Sequence, residues 1–103
     1  MIVRALLALV LLFCGTSALA HFPTLQCKAL GDGKQLECLA GFSDASLPGE
    51  VELRVFTYEE ELIKVVVTDS EGKAVMAMPD GEFYIVFDAS HEKPAEFDYA
   101  ELE

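Results

Sequence analysis

From residue 21 onward the chain alternates apolar and polar positions with a period of two. Leu25, Cys27 and Ala29 alternate with Gln26 and Lys28, and Leu36, Cys38, Ala40 and Phe42 alternate with Glu37 and Leu39. That period belongs to strands with one face buried and one exposed. Gly31-Asp32-Gly33-Lys34 lies between the two runs and predicts a hairpin turn. A turn centred on Asp32-Gly33 pairs residues whose numbers sum to 65. Cys27 and Cys38 have that sum, so they should face each other at roughly 4.5–5.5 Å between Cα atoms, within reach of a disulfide.

The pattern continues. Residues 50–57 place Val51, Leu53 and Val55 inward against Glu52 and Arg54, and Glu59-Glu60-Glu61 then forms an acidic turn. Residues 62–68 are a β-branched run expected to be partly buried on both faces. Asp69-Ser70-Glu71-Gly72 and Pro79-Asp80-Gly81 are turns by composition, on either side of a short strand over 73–78. Residues 82–88 set Phe83, Ile85 and Phe87 on one face, and 95–102 form a last strand. Seven strands at spacings of about 8–12 residues, with no helical stretch, predict an all-β, seven-stranded antiparallel sandwich of immunoglobulin-like or transthyretin-like type.

The first 20 residues follow another rule. Arg4 precedes an apolar run from Ala5 to Phe13, and Ala18-Leu19-Ala20 has the small-x-small form of a cleavage site. This is the pattern of a secretory signal peptide over 1–20, with a β-sandwich domain over 21–103. The apolar run is too short for a permanent membrane span, so the product is expected to be exported and soluble, and periplasmic if the source is a Gram-negative bacterium. Cys14 would be lost with the leader. Two cysteines would remain, as expected of one disulfide in an exported small domain.

Cleavage changes the charge balance little. All 18 acidic residues lie after the cut, and loss of Arg4 takes the formal charge from −11 to −12. So acidic a surface argues against nucleic acid and anionic membranes and attracts cations.

The segments Phe42-Ser43-Asp44-Ala45-Ser46-Leu47-Pro48, Val51–Val55, Thr68-Asp69-Ser70-Glu71-Gly72-Lys73 and Asp80-Gly81-Glu82-Phe83-Tyr84-Ile85-Val86 resemble the carboxypeptidase-regulatory-like, transthyretin-like β-sandwich. The resemblance covers roughly residues 40–90 and bears on fold more than on function. The Ala-His start, with Asp88-Ala89-Ser90-His91-Glu92 leading into Ala95-Glu96-Phe97, is also similar to small exported proteins that accompany bacterial nickel and cobalt transporters of the energy-coupling-factor type. That likeness implies binding of the ion outside the membrane and a membrane metal transporter as partner.

Catalytic signatures are lacking: there is no G-x-S-x-G, phosphate loop, H-E-x-x-H or C-x-x-C. The chain is therefore read as a non-enzyme. Met76 and Met78 share a strand face, where core packing is the simpler role than soft-metal ligation. His21 has a distinct chemistry. Cleavage before it would leave a free α-amine beside imidazole Nδ1, and the two can chelate one ion. Amines and imidazoles release protons at little cost near neutrality, and Ni(II), Co(II) and Cu(II) accept such nitrogen donors. If successive strands alternate in direction, His21 and His91 fall at one end of the sandwich, with Asp44, Asp69, Asp88 and Glu92 on nearby loops. The metal set expected from this reasoning is His21, His91 and Asp88, with Ni(II) or Co(II) favoured over Cu(II). The alternative is a transthyretin-like module that binds a protein partner without metal.

Overall fold

The computed structural model describes residues 21–90 and 92–102; the expected leader and His91 lie outside them. Seven strands form: β1 (Pro23–Leu30), β2 (Gln35–Phe42), β3 (Glu52–Thr57), β4 (Leu62–Val67), β5 (Lys73–Ala77), β6 (Phe83–Phe87) and β7 (Ala95–Asp98). They make two sheets, β1-β2-β5 and β4-β3-β6-β7, with every pairing antiparallel. The all-β sandwich expected from the alternation is what the chain builds.

The inward positions of both sheets meet in one core. Leu25, Leu36, Cys38, Ala40, Ala74 and Met76 come from the first sheet, and Leu53, Val55, Phe83, Ile85, Phe87 and Phe97 from the second. Burying each large side chain contributes about 1.5–3 kcal/mol. Met76 belongs to this core and Met78 packs against it, which gives both methionines the packing role. The β1–β2 register follows the sum of 65 at every pair, including Cys27 with Cys38. Those two are disulfide-bonded with Cα atoms 4.1 Å apart, slightly closer than the spacing expected of a non-hydrogen-bonded pair. Two glycines with left-handed φ, Gly31 and Gly33, close the hairpin, and the Gly33 amide donates to the Leu30 carbonyl.

Two expectations change. β4 is not buried on both faces: Leu62, Ile63, Val65 and Val67 are exposed, and among the described residues β4 is an edge of its sheet with β3 alone beside it. The last strand stops at Asp98 and a 3-10 turn follows over Tyr99–Glu101. The Asp98 carboxylate accepts from the Ala100 amide, and Glu101 reaches back to the Asp98 amide. This is a capping box, whose D-x-x-E spelling was present in the sequence.

The turn between β4 and β5 carries the chain from one sheet to the other. Thr68, 2% exposed, accepts from the Val51 amide through Oγ1, and its hydroxyl lies within donating distance of the Gly49 and Asp69 carbonyls. The Asp69 carboxylate accepts from the Glu71 and Lys73 amides. Gly72 adopts φ +89°, and its carbonyl accepts from the Ala40 amide. A Cβ there would come within 2.2 Å of the Ala40 carbonyl oxygen and 2.8 Å of Pro48, so no larger residue fits. Thr68, Asp69 and Gly72 thus fix the end of β2 and the loop that follows it.

Candidate metal centre at the N-terminal end

That loop carries the candidate site. β2 ends at Phe42, and residues 43–46 turn sharply, with Ala45 at φ +69° and its amide donating to the Phe42 carbonyl. The Asp44 carboxylate holds the turn from inside: Oδ1 accepts from the Ser46 amide at 3.0 Å and from the Ser46 hydroxyl at 2.7 Å. Its other oxygen, Oδ2, lies 2.8 Å from Nδ1 of His21. The Ser46 hydroxyl, the Ser46 amide and then the His21 ring hold the Asp44 carboxyl down at about 2. It is therefore ionised throughout the physiological range.

His21 is held from three sides. Its ring stacks on Phe42 with centroids 4.7 Å apart and planes 17° from parallel. Asp44 fixes the direction of Nδ1. The next residue is tied down by its backbone: the Phe22 amide donates to Ser43 Oγ, and the Phe22 carbonyl accepts from the Ser43 amide. Phe42 in turn contacts Phe87 at 5.8 Å between centroids, so this exposed corner rests on the core. The same contact brings the end of β6, and hence Asp88, to the end of the sandwich that holds His21.

The expected ligands can now be placed. Asp44, one of the loop acids, is the carboxylate in contact with His21. Asp88 accepts from the Ser90 amide within its own loop. Among the described residues no group of three or more His, Cys, Asp and Glu side chains is gathered closely enough to hold an ion. Side chains alone therefore supply His21 and Asp44 as a pair.

The separation of the pair is that of a hydrogen bond, and it is also short enough for both atoms to reach one ion. Two adjacent donors on an ion with bonds of about 2.1 Å lie roughly 3 Å apart, close to the 2.8 Å between Nδ1 and Oδ2. Nδ1 is also the ring nitrogen through which a histidine chelates together with its own α-nitrogen. Periodicity could not single out Asp44, but the local spelling Asp44-Ala45-Ser46 is that of an Asx turn. Comparison with protein-family models, with curated proteins and with solved structures finds no match to this chain.

Proposed function

We propose that the protein is an exported accessory for divalent metal uptake, for Ni(II) or Co(II) ahead of Cu(II), whose site is built on His21 and Asp44. The observation that carries the reading is the Nδ1–Oδ2 distance of 2.8 Å on a ring already stacked in place. A frayed terminus has no reason to hold its first imidazole against an ionised carboxylate. Removal of the leader after Ala20 would add the α-amine and turn the pair into three donors, two nitrogens and one oxygen. Ion binding would displace the proton between His21 and Asp44, with the ring turning to aim Nδ1 at the ion in place of Oδ2. Asp88 and His91 remain candidates for further positions. The strongly acidic surface would raise the local cation concentration, and a membrane metal transporter is the partner this role requires.

The test uses protein processed to begin at His21. Calorimetric titration with Ni(II), Co(II) and Cu(II) should show one site per chain. Adding one alanine before His21, or changing Asp44→Asn, should each weaken binding at least tenfold. His91→Ala reports whether that residue supplies a fourth donor. Undiminished affinity in the alanine-extended protein would reject the terminal site.

A further inference from the structure

β4 combines three properties that do not normally coexist on a free edge. First, its side chains are apolar and exposed: Leu62 is 52% exposed, Ile63 42%, Val65 44% and Val67 58%. Second, its outer backbone has no strand beside it among the described residues. The Thr68 amide points back to the Val51 carbonyl of the β3 side, and alternation along the strand turns the peptide groups of Val65 and Val67 outward. Third, the guards are confined to one end. The register shift beside Val55 and Phe56 lies at the start of the strand, and Lys64, the cation on the strand, turns its Nζ across the sandwich to the Ala77 carbonyl at 3.2 Å, so no charged side chain of the strand itself projects beside residues 65–67. Soluble proteins usually blunt such an edge with charge, proline or a covering loop.

The charges at the two ends of β4 decide what can cover it. Glu59, Glu60 and Glu61 are exposed at one end, and Asp69 and Glu71 at the other. A second copy is disfavoured. In antiparallel self-pairing centred on Val65, the acidic end 59–61 of one copy lies beside Asp69 and Glu71 of the other. Shifting the register by one hydrogen-bonded pair still sets acid against acid, and like charges opposed across a pair destabilise it. A strand flanked by basic residues meets the opposite situation at both ends.

We propose that the open edge of β4 accepts an extended segment of another protein, apolar at alternate positions and flanked by lysines or arginines, as an added strand. Backbone hydrogen bonds to Val65 and Val67 hold it, and the acidic ends set its selectivity. The proposal is independent of metal binding.

The probe is a blocked, labelled peptide, KKVTVTVKK, added to the folded protein at low salt and followed by anisotropy and amide NMR. Saturable binding is expected, with shift changes centred on residues 63–67. EEVTVTVEE should bind at least tenfold more weakly, as should the basic peptide with alternate amides methylated. The double variant Val65→Lys, Val67→Lys, checked for folding by its amide spectrum, should lose the same affinity. The proposal is overturned by no saturable binding of the basic peptide, by equal binding of the acidic one, or by shifts on β1, β5 or β7. Concentration-dependent dimerisation that protects the β4 amides overturns it as well, because a second copy would then be the occupant.

Discussion

β4 and β6 are almost equally apolar and lie in the same sheet, both beside β3. β6 has β7 on its other side, and its Phe83, Ile85 and Phe87 are among the most buried residues of the protein. Among the described residues β4 has no neighbour on its other side, and none of its residues is fully buried. Hydrophobicity therefore marks two different things in one sheet. In β6 it is core, and in β4 it is exposed surface. A residue's worth to stability follows from its neighbours and cannot be read from its type.

The largest expected effect tests that contrast directly. Ile85→Ala should cost about 2–5 kcal/mol in urea unfolding, the range for truncating a buried large aliphatic side chain. Val65→Ala, also a truncation of a β-branched residue on a strand of this sheet, should stay within about 0.5 kcal/mol. Equal losses would mean that β4 is covered within the folded chain and would remove the contrast.

A second experiment brings in β1, one of the two edge strands of the other sheet. β1 is joined to β2 by the Cys27–Cys38 bridge, whereas β4 has no covalent tie. Replacing both cysteines by alanine should cost about 3 kcal/mol, the chain-entropy value for so short a loop. Amide exchange in β1 should then rise towards the rate in β4, by way of local opening. If β1 stays protected, its packing against the second sheet, and not the bridge, is what separates the two edges.

The smallest effect concerns the N-terminal corner. The Asp44 carboxyl titrates at about 2 against an ordinary 3.8, so it binds its proton less readily in the folded state. Its contribution is fully present above about 4 and is lost as the pH falls through about 2. Acidification across that window should release His21 from Phe42 and Asp44. Ring-proton NMR of His21 and Phe42 would report this as loss of the stacking shift. A ring environment unchanged down to pH 1.5 would show that stacking alone holds the histidine.

The hairpin was legible in the sequence because a glycine-rich turn fixes a register by arithmetic, and the register fixes the cysteine pair. Turn residues such as Pro79 and Gly81 likewise located the strands on either side. The edge position of β4 was not legible. Alternation reports which way a side chain points, and sheet order is decided by pairings such as β3 with β6, distant in sequence. The motif running from Thr68 to Gly72 was visible as spelling. Its role, a buried hydroxyl and a glycine pressed against Ala40 and Pro48, appeared only in the fold. At the site, His21 stood out from sequence, while Asp44 was one loop acid among several. What distinguishes it is a left-handed Ala45 and a cap on Ser46, and neither leaves a periodic trace.

The disulfide has a consequence for the order in which the chain assembles. Its cysteines are 11 residues apart, and the strands carrying them are joined by a short turn, so the thiols meet as soon as one hairpin closes. Hairpins close in about 1–10 μs, whereas pairings between distant strands must first overcome loop-closure entropy. The thiols are therefore held in register before β2 finds β5, some forty residues downstream, and oxidation, which takes seconds to hours, then joins a pair already aligned. A crosslink confined to one hairpin imposes nothing on the order of strands across the sheets. It can neither trap a misassembled sandwich nor need reshuffling once the remaining strands arrive.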